Sequence, residues 1–197
     1  YLVIEKLTKF KTFVLACSES EQQMAKKDVG YDERHALVWH NAVPDASLEQ
    51  GKKVDLDFPY ACYIGRPSYQ KNILFLLDVI KEIKDRGCRL KFILLGVGPE
   101  LAEVKHKIQD LHIADNIMLM PWVSHADCME YVRKSSFYLS TAIYEGLPLA
   151  VIEAMSVGKA IVASTVVGNK DCVKNGVNGY LLPMNVSDLA DKIVELA

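Results

Sequence analysis

The chain has 197 residues, of which 50% are hydrophobic and 24% are charged, an ordinary composition for one globular domain with part of a second. Its formal net charge of −2, with no long run of Lys or Arg, argues against a nucleic-acid-binding protein. No apolar run reaches membrane-spanning length, and no signal-peptide pattern is present.

The cysteines are five in number, widely spaced and without a C-x-x-C pair. This pattern predicts reduced thiols in a cytoplasmic protein, and it argues against a disulfide frame or a zinc site. The chain begins at Tyr1 without a methionine and stops within a predicted helix at Ala197. We therefore expect a piece of a longer protein.

The first 50 or so residues differ in pattern from the rest. Thr12–Cys17 and Ala36–Val43 resemble strands, and the polar stretch Glu19–Lys27 between them resembles a helix. Pro44–Phe58 is polar and is predicted to be a linker.

From Tyr60 onward, short apolar runs alternate with helical patterns. The predicted strands are Ala61–Gly65, Phe92–Gly96, Ile117–Pro121, Phe137–Thr141, Ala160–Ser164 and Tyr180–Pro183. The predicted helices are Lys71–Arg86, Pro99–Leu111, Ala126–Ser135, Leu149–Val157, Lys170–Asn175 and Ser187–Leu196. This alternation predicts an α/β fold, in which a parallel sheet of about six strands carries helices on both faces.

Two glutamates, Glu145 and Glu153, flank a turn and the start of a predicted helix. Glu145 comes just after a strand, at the edge where parallel α/β sheets bind ligands. The residues alone leave two interpretations open. The glutamates could accept hydrogen bonds from a nucleotide-linked substrate, or one could cap the helix while the other pairs with a cation.

The turn between these glutamates suits a phosphate group. Gly146 permits close approach of the backbone, and Pro148, after Leu147, suits the first turn of a helix. The exposed amides of Leu149 and Ala150 would then face an anion, with the helix dipole behind them.

A second signal is the pair of cations Arg66 and Lys71, which follow the first predicted strand of the sheet. An arginine fork and a mobile lysine charge beside a helix N-terminus suit a diphosphate. The alternative is a solvated Lys71 and an Arg66 paired with a surface acid.

Other residues carry weaker signals. Gly96-x-Gly98 lacks the third glycine of a dinucleotide motif and is interpreted as a tight turn near the ligand. Trp122 could line a base pocket or simply pack. Asp55 and Asp57 have D-x-D spacing but lie in the predicted linker, away from the sheet edge. The histidines lack the spacing of a metal site or a catalytic triad, and most are interpreted as surface or capping residues: His35, His40, His106, His112 and His125.

Together these motifs resemble the retaining glycosyltransferase family 4, whose members have the GT-B fold. Glu145 and Glu153, set in E-G-L-P-L-A-V-I-E-A-M, match its E-x7-E motif, and Gly65-Arg66-x4-Lys71-Asn72 matches its G-R-x4-K-N loop. The segments 167–171 and 175–179 resemble its G-G-x-x-E and G-x-x-G elements, although Val167 replaces the first glycine and Asp171 the glutamate.

The resemblance implies the C-terminal half of a GT-B fold, a Rossmann-like domain that binds a nucleotide diphosphate sugar. Arg66 and Lys71 would neutralise the diphosphate leaving group, Glu145 would lie near the sugar hydroxyls and Glu153 would bind the ribose. The base would contact Met120, Pro121, Trp122 and Val123. Residues 51–197 would form this domain, and residues 1–50 would be the tail of the N-terminal acceptor domain and the hinge.

The implied reaction is sugar transfer with retention, and it requires no metal or other cofactor. The missing acceptor domain would leave this fragment able to bind the donor weakly but unable to turn it over. Membrane association would concern only the full-length protein, at the inner face of the membrane. The alternatives are a nucleotide-sugar epimerase, a phosphorylase-like transferase, or a non-catalytic nucleotide-binding module of the same fold.

Overall fold

The computed structural model describes residues 11–45, 51–120 and 122–197. The predicted N-terminal tail at 1–50 is therefore described only from residue 11 to 45. A small parallel sheet pairs β1 (Val14–Ala16) with β2 (Ala36–Val38). The large sheet contains β3 (Tyr60–Ile64), β4 (Lys91–Leu95), β5 (Ile117–Met120), β6 (Phe137–Ser140), β7 (Ile161–Ser164) and β8 (Gly179–Leu182).

The helices connect these strands. They are α1 (Glu19–Met24), which continues into a π-helical turn at Ala25–Val29, α2 (Ile73–Asp85), α3 (Leu101–Asp110), α4 (His125–Lys134), α5 (Leu149–Ser156), α6 (Asn169–Cys172) and α7 (Val186–Leu196). Short 3-10 turns lie at Tyr69–Lys71 and Ala114–Asn116.

The six strands of the large sheet are parallel. The four central strands, β3, β4, β6 and β7, are buried on both faces, which explains their continuous apolar sequences, whereas the edge strands β5 and β8 are partly exposed. Side chains alternate between two cores because successive strand residues point to opposite faces. Within β3, Tyr63 joins the core beneath α2, α3 and α7, whereas Cys62 joins the core beneath α4 and α5. The predicted α/β sheet with helices on both faces is confirmed.

The strand order is β5-β4-β3-β6-β7-β8. The chain proceeds outward from β3 to β5, then returns to the centre and proceeds in the opposite direction from β6 to β8. The seam between β3 and β6 is therefore the topological switch point, where open α/β sheets form a ligand crevice at the carboxyl ends of the strands. The Tyr138 hydroxyl links the seam, since it donates to the Ile64 carbonyl at 2.9 Å and accepts from the Ile64 amide at 3.3 Å.

Two predicted helix starts are early by two residues: Pro99, where α3 begins at Leu101, and Lys71. Lys71 was expected to begin the first helix of the sheet, but it ends a 3-10 turn and α2 begins at Ile73. The cause is Asn72, whose φ of 51° is left-handed and interrupts the helical path. Lys71 is consequently part of the loop at the sheet edge.

α1 and the segment after β2 contact the loops at the carboxyl edge of the large sheet. Ser18 caps α1 by accepting from the Glu21 amide, and Ser20 donates from its hydroxyl to Asp171 at 2.9 Å. Asn41 donates from its side-chain amide to the Leu147 carbonyl at 3.0 Å. Among the helices of the described ranges, none is long and apolar enough to cross a membrane.

Candidate functional site

The loops that follow β3 and β6 are joined by hydrogen bonds across the switch point. The Ile143 amide donates to the Gln70 carbonyl at 2.9 Å, and the Gln70 side chain donates to the Tyr144 carbonyl at 3.2 Å. The Thr141 hydroxyl, which is buried, lies 3.3 Å from the Lys71 carbonyl. These bonds give the cationic loop and the glutamate-bearing loop a common scaffold.

Lys71 and Glu145 form an ion pair on this scaffold. The Lys71 Nζ lies 2.5 Å from the Glu145 Oε1, and the Glu145 side chain is only 8% exposed. The interpretation of Lys71 as a solvated cation is therefore wrong. The alternative in which Glu145 caps the following helix is also wrong, because no side chain caps α5 in the described structure.

Gly168 brings the loop after β7 against the Glu145–Gly146 peptide. A Cβ atom at Gly168 would lie 2.6 Å from the Gly146 carbonyl oxygen, and the φ of Gly168 is +64°. Both the backbone conformation and the space therefore require glycine. A third loop thus supports the position of the Glu145 backbone.

The N-terminus of α5 opens beside the ion pair. Pro148 is the N-cap residue, and its carbonyl accepts from the amides of Val151 and Ile152. Leu149 and Ala150 are the first two helical residues, whose amides have no acceptor within their own helix. These two amides are therefore open to an anion. The preceding turn at Gly146 faces the Glu21 carboxylate, whose Oε1 would lie 2.7 Å from a Cβ atom at Gly146.

Arg66 lies next to a cavity of about 420 Å³ on the other side of the β3 carboxyl end. Its walls include Gly65, Gly96, Trp122, Val123 and His125. Arg66 is exposed, and it makes no ion pair with any other residue in the described ranges. The sequence left open that Arg66 pairs with a surface acid, and the described residues contain no such pair.

The walls of this cavity include part of the predicted base-binding segment. Trp122 is 75% exposed, and Val123 is half-buried. Met120 ends β5 and accepts a hydrogen bond from the Gly96 amide, which keeps the glycine turn beside the segment. Pro121 lies outside the described residues.

Glu153, on the second turn of α5, meets a residue that sequence reasoning did not select. Its Oε1 lies 3.0 Å from the Nε2 of His125, the first residue of α4. His125 is one of the histidines that the sequence pattern indicates to be surface or capping residues. Its position two residues after the predicted base-binding segment, 120–123, is the sequence feature that could have indicated a role in the site.

Tyr63 is a second residue that sequence reasoning missed. Its hydroxyl is buried beneath Gly65 and has no hydrogen-bond partner in the described structure. Burial raises the pKa of the phenol, and the nearby Glu145 carboxylate raises this pKa further. The neutral phenol is thus a potential hydrogen-bond donor beneath the β3 loop.

The crevice combines two cations, a free helix N-terminus, two carboxylates and an exposed indole. Cations and amides can neutralise an anion such as a diphosphate, carboxylates can accept hydrogen bonds from hydroxyls, and an indole offers a stacking surface. This combination suits a ligand with a base, a sugar and phosphates.

Residues 46–197 match the family model described as glycosyl transferases group 1. The UDP-Gal:alpha-D-GlcNAc-diphosphoundecaprenol alpha-1,3-galactosyltransferase of Escherichia coli is 29% identical over 128 residues, which are 64% of this chain and 33% of that protein. The amylovoran biosynthesis glycosyltransferase AmsD of Erwinia amylovora is 32% identical over 127 residues, 64% of this chain and 34% of that protein.

Solved structures share the fold. HepE from Anabaena, crystallised in complex with UDP and glucose, superposes with a TM-score of 0.80 at 21% identity over 98% of this chain and 56% of its own. The chain spans about one third of the length of the curated relatives named above.

Proposed function

The chain belongs to the glycosyl transferases group 1 family, and from this premise we propose that it binds a nucleotide diphosphate sugar as the donor half of a retaining glycosyltransferase. The observation that carries the proposal is that the cations Arg66 and Lys71 follow β3, and the α5 N-terminus follows β6, at the carboxyl ends of the two strands that form the topological switch point. The names of the galactosyltransferase relative and of the UDP-bound HepE structure support the same class of ligand.

The diphosphate binds between Arg66, Lys71 and the turn Gly146–Pro148, with the amides of Leu149 and Ala150 as further donors. Lys71 is held near this position by Glu145. A diphosphate competes with Glu145 for the ammonium group, because both are anions within reach of a mobile side chain. Positive charge at the diphosphate stabilises it as a leaving group, so the reaction requires no metal.

The base stacks against Trp122 and lies along Met120, Pro121 and Val123. The cavity beside Arg66 has room for such a ring, and its apolar walls favour a planar base. Glu153 then accepts from the ribose hydroxyls, and Glu145 accepts from the hydroxyls of the transferred sugar. The glutamates act here as hydrogen-bond acceptors and not as the acid and nucleophile of a glycosidase.

Residues 51–197 form the donor domain in this proposal, and residues 1–50 belong to the tail of the acceptor domain and the hinge. Since the chain spans about a third of its relatives, the acceptor site lies in protein that this chain does not include. We expect the chain to bind the donor weakly and to show no transfer by itself.

Isothermal titration calorimetry of the chain with UDP, GDP and ADP tests the proposal. Saturable binding of one nucleotide, with an affinity that falls on mutation of Arg66, is the expected result. A chain that binds none of the three would contradict the donor-site proposal and would favour a scaffolding module that kept the fold without nucleotide binding. Sugar transfer by the chain alone, near the rate of an intact enzyme, would contradict the expectation that this chain binds the donor but cannot transfer the sugar.

A further inference from the structure

The pair formed by His125 and Glu153 joins two helices on the same face of the sheet. His125 begins α4, where the Ser124 hydroxyl caps the helix by accepting from the Asp127 amide at 3.1 Å. Glu153 lies within α5, and its side chain is 20% exposed. Both side chains are therefore carried by regular elements, and the 3.0 Å bond between them fixes the carboxylate.

The simplest interpretation of this pair is a link between helices. A partly exposed pair of this kind contributes little to stability. Two observations point beyond that role. His125 is part of the wall of the 420 Å³ cavity beside Trp122, and no other hydrogen bond from the described residues reaches the Glu153 carboxylate.

The chemistry of a ribose explains why fixing this carboxylate matters. A ribose offers two neighbouring hydroxyls, and a glutamate side chain can meet them in several rotamers at a cost in side-chain entropy. When the Nε2–H of His125 donates to Oε1, the plane of the carboxylate is set before the ligand arrives. Oε2 then remains as the acceptor for a hydroxyl. Preorganisation of this kind raises affinity by lowering the ordering cost of binding.

We propose that His125 is a positioning residue for ribose recognition, which holds Glu153 so that the site favours nucleotides that carry both ribose hydroxyls. The inference rests on the proposed donor-binding function. It deepens that function by assigning the selectivity for the ribose hydroxyls of the nucleotide to His125 and Glu153. It requires His125 to donate from Nε2, either as the neutral Nε2–H tautomer or as the cation.

The test compares ligands with and without the hydroxyls. Dissociation constants are measured by calorimetry for the nucleoside diphosphate that binds best among UDP, GDP and ADP, and for its 2′,3′-dideoxy form. For His125→Ala we expect about tenfold weaker binding of the ribonucleotide, the size of one hydrogen bond to a charged group. The affinity for the dideoxy form should change by less than about twofold, because the hydroxyls that Glu153 binds are absent.

Two further variants separate positioning from packing. In His125→Gln the amide nitrogen replaces the Nε2 donor, and this variant should recover most of the ribonucleotide affinity. His125→Ala made in a Glu153→Gln background should cause little additional loss, since the two residues act through one contact. The matched control is His106→Ala, because His106 is an exposed histidine of α3 that pairs with Asp110 on its own helix.

The outcomes are distinguishable. Equal losses for the ribonucleotide and the dideoxy form would overturn the positioning role while leaving the donor site intact. An unchanged ribonucleotide affinity in His125→Ala would overturn it as well. Absence of binding of all three nucleotides to the unmodified chain would instead contradict the proposed function itself, and the inference with it.

Discussion

Lys71 and Glu145 lie 74 residues apart in the sequence and meet across the seam between β3 and β6, with 2.5 Å between Nζ and Oε1. Because the Glu145 side chain is almost fully buried, its charge requires a partner. A diphosphate that attracts Lys71 leaves Glu145 in need of new hydrogen-bond donors, and sugar hydroxyls can supply them. The ion pair thus links phosphate binding to sugar binding in the proposed function.

Substitution of Lys71 should weaken nucleotide binding. Lys71→Ala is expected to reduce the affinity for UDP, GDP or ADP by about 1.5–3 kcal/mol, the value of a hydrogen bond to a charged group. Calorimetry measures the change. Lys107→Ala is the matched control, because Lys107 forms a 2.8 Å pair with Asp78 at similar exposure and away from the crevice. An unchanged affinity in Lys71→Ala would count against its assignment to the diphosphate.

Arg66→Ala should weaken nucleotide binding without lowering the thermal stability of the chain. Arg66 is exposed and has no ion-pair partner in the described ranges, so its removal leaves no buried charge behind. We expect a loss of about 1.5–3 kcal/mol in binding free energy and a weaker dependence of affinity on salt. Arg89→Ala is the control, since Arg89 is also exposed but precedes β4 at the opposite edge of the sheet. Equal effects of the two substitutions would refute a specific role for Arg66.

Trp122→Ala should remove base stacking, with a loss of about 1–3 kcal/mol in nucleotide affinity. The chain contains two tryptophans. The other, Trp39, directly follows β2 in the small sheet and is 76% exposed. Trp39→Phe should therefore retain any quenching of tryptophan fluorescence by a bound nucleotide, whereas Trp122→Phe should abolish it. Quenching that is lost in Trp39→Phe and kept in Trp122→Phe would show that the base does not bind at Trp122.

Gly168→Ala should destabilise the loop that supports Glu145. A side chain at the positive φ of Gly168 costs about 1–3 kcal/mol in backbone strain, and the clash with the Gly146 carbonyl should add about 1–3 kcal/mol. Gly158→Ala isolates the first contribution, because Gly158 has a φ of +76° and open space around its Cα. The two free energies of unfolding can be compared by urea denaturation. Similar values for both variants would contradict the close approach at Gly168.

Cys17 should react slowly with iodoacetamide at pH 8. Its pKa is raised to about 11, first by burial and then by the hydrogen bond and charge of Glu21, and only the thiolate is nucleophilic. Peptide mass spectrometry of alkylation against pH should give a midpoint near 11, since the neutral thiol persists below that pH. Glu21→Gln removes the charge and should lower the midpoint. A midpoint near the usual cysteine value in the unmodified chain would contradict this environment.

Local sequence patterns were sufficient to predict the positions of most strands and helices to within a few residues. Short apolar runs such as Phe137–Ser140 are typical of strands that are buried on both faces of a parallel sheet. The start of α2 was missed because the left-handed conformation of Asn72 depends on its surroundings, including the carbonyl contacts of the Thr141 hydroxyl, which are tertiary and not local.

The side-chain pairs of the site could not be predicted in the same way. Alternating strands and helices indicate a parallel sheet, but they do not specify that β6 lies beside β3. Only this order brings Glu145 to Lys71. The contact between His125 and Glu153 depends likewise on how α4 and α5 pack, which the spacing of their apolar residues leaves open.

The strand order also has a consequence for how the chain folds. β3 to β5 and β6 to β8 are each continuous in sequence, so each set can assemble through local contacts. The pairing of Ala61 in β3 with Phe137 in β6 joins residues that are much farther apart in the sequence, so it closes a longer loop of chain. The seam is thus a junction between two halves of the sheet that are each continuous in sequence, and α7 of the second half packs on α2 of the first. A ligand that bridges it adds its binding free energy to the stability of that junction, so that hydrogen exchange along β3 and β6 reports occupancy of the crevice.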